Sequence, residues 1–214
     1  MNLSNHTNFL LIGKTLPGGT TTALGVLEAM GVEAGGKASS SMPTNPHGLK
    51  STVVSEGLEP SGLSSGELAE EPLEAVRRMG DPMIPAVAGL AAGAGGTPVL
   101  LAGGTQMAAV LKVMSVLEET ALDNLALGTT RWIIQDEDSD IISIINGVCD
   151  VPVLACDLDF SRSKYEGLKA YEEGFAKEGV GAGGASLAAM LKKEEVDSGA
   201  LLGEVEAKYE ELVE

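Results

Sequence analysis

Four short apolar runs decide what this chain can fold into. "NFLLIG" ends at Gly13, "TPVLLAGG" ends at Gly103 and Gly104, "LALGTTRWIIQDED" holds a third run, and "VPVLACDLDFS" is the fourth. Continuous apolar runs of this length, ended by glycine or polar residues, are the pattern of strands buried on both faces. Segments with helical spacing lie between them. "TTTALGVLEAMG" is one, with Thr20 as its cap and Gly31 as its end; "ELAEEPLEAVRRMG", "DPMIPAVAGLAAGAGG", "TQMAAVLKVMSVLEET" and "SDIISIING" follow. Strands alternating with helices predict an α/β fold: a three-layer α/β/α arrangement with a mostly parallel, Rossmann-like open sheet and a helical C-terminal part. The expected division is an α/β core over residues 1–162 and a helical segment over 163–214, with "YEGLKAYEEGFAKEG", "ASLAAMLKK" and "SGALLGEVEAKYEELVE" as its helices. "EAGGKASSSMPTNPHGLK" reads as a polar loop, long enough to be functional, and "SEGLEPSGLSSGE" as a second solvated stretch. Four strands make a thin sheet, and the first begins close to Met1. The expectation is that further strands lie upstream in a longer parent protein.

Charge narrows the function classes. The 214 residues carry a net charge of −17, with 14 basic residues against 31 acidic ones. Such a surface repels nucleic acid and anionic membrane, so neither is an expected partner. An anionic ligand must then be held locally, by backbone amides and a few cations. The two cysteines, Cys149 and Cys156, make no C-x-x-C motif, and only two histidines are present to complete a metal site. They read as buried, reduced thiols of a cytoplasmic protein, with no metal and no cofactor expected. "MNLSNHTNFLLIG" lacks the basic and long apolar regions of a signal peptide, and "MIPAVAGLAAGAGG" is too short and glycine-rich to span a membrane.

In open parallel sheets the ligand sits at the carboxyl ends of the strands. The first such end, "GKTLPGGTT", places Gly13, Gly18 and Thr20 on the frame of a P-loop, but Gly19 stands where the lysine belongs. One reading is a glycine turn whose amides and helix N-terminus, with Thr20, Thr21 and Thr22, hold a single phosphate rather than a triphosphate with magnesium. The other is a tight strand-to-helix turn with a threonine cap. Gly103, Gly104, Thr105 and Gln106 repeat the design at a second strand end. The loop over 35–50 carries Lys37, Ser39, Ser40, Ser41, His47 and Lys50; it either folds over a ligand or is simply solvated, with His47 in a turn. "KEGVGAGG" sets Glu178 before a glycine run, either as a general base beside closely approaching backbone or as the end of a helix followed by a flexible link.

Taken in order, these segments resemble the nicotinate-nucleotide–dimethylbenzimidazole phosphoribosyltransferases, which activate the lower-ligand base of cobalamin. "PLEAVRRMGDPMIPAVAGLAAGAGGTPVLLAGGTQMAAVL" is similar to the family's proline-leucine-glutamate start, arginine pair, small-residue helix and "PVLLDG" strand. "PGGTTTALGVL" resembles its "GIGNTTAAAAL", and "KEGVGAGGASLAAM" its "GEGTGAALA" run; a divergent branch reads almost as here. The resemblance covers most of residues 10 to 192. It implies transfer of phosphoribose from nicotinate mononucleotide to a benzimidazole-type aromatic base. Glu178 falls on the family's catalytic glutamate. Gly18, Gly19, Thr20 and Thr21 fall on the donor loop, Lys50 near a donor-binding lysine, Gly103 and Gly104 on the turn after "PVLL", and Ser163 near a nucleotide-binding serine. A homodimer is implied as well. The sequence departs from the family where Lys14 replaces a glutamate and Gly19 an asparagine, and where the family's N-terminal portion has no counterpart. A non-catalytic nucleotide-binding relative, or a subunit of a larger enzyme, is the alternative; an unrelated phosphate-binding α/β enzyme is a third possibility.

Overall fold

The structure is a computed structural model that describes residues 7–59 and 62–213. The first six residues of the segment read above as lacking a leader lie outside the described residues, as do Pro60 and Ser61 of the second solvated stretch. Four parallel strands form one sheet in the order β1-β2-β3-β4: β1 Leu10–Gly13, β2 Val99–Ala102, β3 Leu125–Thr130 and β4 Val153–Cys156. They coincide with the four apolar runs, and register is continuous across the sheet, with Ile12 beside Leu101 and Leu101 beside Leu127.

The strands are laid down in chain order without reversal. Right-handed connections then place every connecting helix on the same face. Helices α1 (Gly19–Ala29), α2 (His47–Leu58), α3 (Pro72–Met79), α4 (Met83–Ala92), α5 (Thr105–Leu117), α6 (Arg131–Ile134) and α7 (Ile141–Asn146) follow one another, with a 3₁₀ turn at Glu119–Asn124. Leu24, Leu27, Ile84, Met107, Leu111, Ile144 and the strand residues Val99, Leu101, Leu125 and Leu127 make one aliphatic core there. The other face is covered from the C-terminal side: α8 (Glu166–Lys169), a π-helix over Val180–Ala185, α9 (Ser186–Lys192) and α10 (Ser198–Val213). The π-helix crosses all four strands. The layers are therefore helices, sheet, and C-terminal segment, as expected for α/β/α. Among the described residues no helix is long and apolar enough to cross a membrane.

Three local expectations need correction. Helix α2 runs over His47–Leu58, so it takes the last four residues of the expected polar loop and the first four of the expected solvated stretch. Lys50, Val54 and Leu58 are its buried residues, spaced by four, so a charged residue occupies the first position of the inward stripe and hides it. Gly48, Gly57 and the β-branched Thr52, Val53 and Val54 weaken the local signal further. Thr20 does not cap α1; the helix begins at Gly19, and Gly18 precedes it at φ 74°, a left-handed conformation that suits glycine. Gly31, at φ 82°, does end it. "YEGLKAYEEGFAKEG" is helical only over Glu166–Lys169. Beyond it the chain turns at Gly174, φ 75°, and the Glu172 carboxylate accepts from Arg131, the Phe160 amide and the Trp132 indole.

Candidate functional site

A cavity of about 230 Å³ opens at the carboxyl ends of β1 and β2. Lys14 and Thr20 line it from the first strand end, Gly103, Gly104, Thr105 and Gln106 from the second, Ser39, Ser40 and Ser41 from the loop after α1, and Lys177 and Glu178 from the entry to the π-helix. Four segments far apart in sequence thus meet at one sheet edge.

Each wall has a local cause. Ser39 is buried and its amide donates to the Thr105 hydroxyl at 3.0 Å, which ties the serine loop to the N-terminus of α5. Lys50 reaches under the same loop and donates to the carbonyls of Ala38 at 3.1 Å and Ser39 at 2.8 Å. Burial pushes its ammonium below the usual range, against the pull of Asp138 and Asp136 and with the help of Lys177. The π-helix lies close to the sheet because its glycines have no side chains: a Cβ on Gly184 would stand 2.2 Å from that of Ala102, and one on Gly183 would stand 2.7 Å from the Thr129 carbonyl carbon. This run is therefore pressed backbone and not a link. The Glu178 carboxylate caps it, accepting the Val180 amide at 2.6 Å and the Ala182 amide at 2.7 Å. Each oxygen keeps a further lone-pair site.

Lys177 and Asp136 form an ion pair of 2.8 Å with side chains 5% and 6% exposed. Burial works to raise the Asp136 carboxyl, but hydrogen bonds from Lys177, Ser139 and the Asp138 amide outweigh it and hold it below the usual range. On the opposite wall, burial lowers the Lys14 ammonium, partly offset by the charge of Asp81.

Of the residues singled out by sequence, the structure brings together Thr20, Gly103, Gly104 and Glu178, and with them Ser39, Ser40, Ser41, Thr105 and Gln106. Gly18 shapes the turn, and Gly19 is buried against Gln106, whose Oε1 a Cβ there would meet at 2.2 Å. Successive helical residues are about 100° apart, so three threonines cannot all face one ligand. Thr22 donates instead to Asp81 and to the Gly19 carbonyl, and Thr21 does not line the cavity. Lys50 supports the serine loop from beneath and does not line the cavity either. Ser163 lies elsewhere: its hydroxyl donates to Glu206 of α10 at 2.6 Å. His47 turns to the Asp138 carbonyl at 2.8 Å, and Lys37 to Ser143 at 3.0 Å. Lys14 and Lys177 line the cavity without having been selected as site residues, although Lys14 directly follows β1. Among the described residues no three His, Cys, Asp or Glu side chains converge as a metal site.

No protein-family model matches the chain. It is 48% identical over 211 residues to a UPF0284 protein of Methanopyrus kandleri, in a match covering 97% of this chain and 54% of that protein. It is 46% identical over 211 residues to a UPF0284 protein of Sulfolobus acidocaldarius, covering 99% and 59%. A UPF0284 protein of Methanothermobacter thermautotrophicus is 46% identical over 190 residues, covering 88% and 53%. The chain spans a little over half the length of these curated relatives.

Proposed function

We infer that the chain belongs to the UPF0284 family, and on that premise we propose that it is the nucleotide-binding part of a phosphoribosyltransferase. The donor is nicotinate mononucleotide and the acceptor a benzimidazole-type base. The single observation that carries this reading is the meeting of Glu178 with the two glycine turns in one cavity. Ribosyl transfer passes through an oxocarbenium-like state at the anomeric carbon, and it needs a clamped donor and one well-placed carboxylate. In this reading Glu178, with its remaining lone pairs, takes the proton from one acceptor nitrogen as the other attacks the ribose. Thr20, Gly103, Gly104 and Ser39 hold the donor; Lys50 positions Ser39. The cavity of about 230 Å³ is below the ~300–1,000 Å³ of common ligand sites. It matches one mononucleotide better than two substrates, so the acceptor wall is assigned to residues of the longer protein or to a second subunit of a homodimer.

The test is release of free nicotinate from nicotinate mononucleotide and dimethylbenzimidazole. Glu178→Gln is expected to lower the rate by about 10²–10⁴. Unchanged release in that variant would refute the role of Glu178. A second reading, binding without turnover, is favoured by the two amides that already engage the Glu178 carboxylate. Donor binding without release, by this chain and by a full-length relative alike, would favour it.

A further inference from the structure

The glycine turn after β1 has the frame of a P-loop without its lysine, and the structure makes that gap sharper. Of the first amides of α1, Gly19 donates to the Leu16 carbonyl at 3.3 Å and Thr21 to the Gly18 carbonyl at 2.9 Å. The turn therefore spends on itself donors that a phosphate would need, and of the three threonines that open α1 only Thr20 lines the cavity. In a chain of net charge −17, an anion held there requires a cation at short range.

Two lysines line the cavity. Lys177 is neutralised by Asp136. Lys14 makes no hydrogen bond or ion pair with any described residue. Its neighbour in charge, Asp81, is occupied by the Thr22 hydroxyl and by the Met83 amide at 2.9 Å. A half-buried ammonium whose nearest opposite charge, that of Asp81, offsets its burial only in part and makes no direct contact with it is costly unless something else supplies a partner.

We propose that Lys14 is the phosphate-binding cation of this cavity, entering from the end of β1 in place of the lysine that the turn lacks, and that it makes the site selective for phosphomonoesters over the unphosphorylated nucleoside. The inference rests on the mononucleotide reading only for the rest of the ligand; the phosphate contact stands by itself. Burial lowers the ammonium's proton affinity in the empty cavity, and a bound dianion restores it. A charge-assisted contact of this kind is worth about tenfold to a hundredfold in affinity.

The experiment measures binding of inorganic phosphate, nicotinate mononucleotide and nicotinate riboside by calorimetry, to the wild type, Lys14→Met and Lys14→Arg, each checked for an unchanged melting temperature. The wild type is expected to bind the mononucleotide at least tenfold more tightly than the riboside. Lys14→Met is expected to abolish that preference and phosphate binding while leaving riboside affinity in place, and Lys14→Arg to retain both. A wild type that binds phosphate no better than Lys14→Met overturns the proposal, whatever its turnover. A Lys14-dependent phosphate preference in a chain and a full-length relative that release no nicotinate would sustain it while the transferase reading fell.

Discussion

Asp136 and Lys177 are each almost fully enclosed, so their attraction is set against a large desolvation cost, and removing one partner strands the other. Asp136→Asn is expected to destabilise the protein by about 3 kcal/mol in urea titrations. The sign of the pH dependence follows from the depressed carboxyl. Its stabilisation is fully present above the unfolded value of about 3.9 and is lost as pH falls through the lower folded value. Wild-type stability should therefore drop in acid more steeply than that of Asp136→Asn, as pH-dependent denaturation will measure. The thiols form a second residue-scale test. Burial raises both Cys149 and Cys156 above the usual thiol range; Cys156 is 1% exposed and Cys149 only half-buried. Alkylation followed by mass spectrometry is expected to modify Cys149 first, more slowly than a free thiol, and Cys156 only on unfolding.

The π-helix over Val180–Ala185 carries the element-scale argument. Gly184→Ala would drive a methyl into Ala102 Cβ at 2.2 Å and Cα at 2.8 Å, a strand backbone atom and the methyl fixed to it, which cannot swing aside. We expect a loss of about 3 kcal/mol from overpacking, and loss of the proposed mononucleotide binding because Lys177 and Glu178 enter this element. Gly203→Ala, on exposed α10 with open space around it, is the control and should instead stabilise by about 0.5–1 kcal/mol. Both are read from chemical denaturation. The oddity of "KEGVGAGG" was legible in the sequence, but its cause was not, because a close approach to β2 and β3 is a property of partners distant in the chain. The strands were legible because each is one apolar run with glycine or polar ends. Helix α2 was hidden by Lys50 in its own inward stripe, and the break after α8 by side-chain capture of Glu172. The convergence of "GKTLPGGTT" and "AGGTQ" followed from parallel-sheet geometry. That Lys50 would point under the serine loop, and Ser163 toward α10, depends on helix placements with no local signature.

At the scale of the whole molecule, 31 acidic residues against 14 basic ones make self-repulsion a standing cost of the compact state. Raising sodium chloride from 10 mM to 300 mM shortens the screening length from about 30 Å to below 8 Å and should raise the melting temperature by a few degrees in calorimetry. The same repulsion is a reason for a local cation such as Lys14: the general surface contributes nothing to holding an anion. The strand order has a consequence of another kind. Because β1 to β4 run in sequence, these four strands and the helices between them all precede residue 157, whereas the opposite layer and Glu178 come afterwards. Chains fold from the N-terminus as they leave the ribosome. A nascent chain paused before Lys177 thus offers Leu11, Leu100 and Ala102 on an uncovered sheet, a target for chaperones and for self-association. Arrival of the last segment buries Leu100 and Ala102, leaves Leu11 partly exposed, and brings Glu178 to the sheet edge, so the sheet face is covered and the carboxylate is placed in the same step of synthesis.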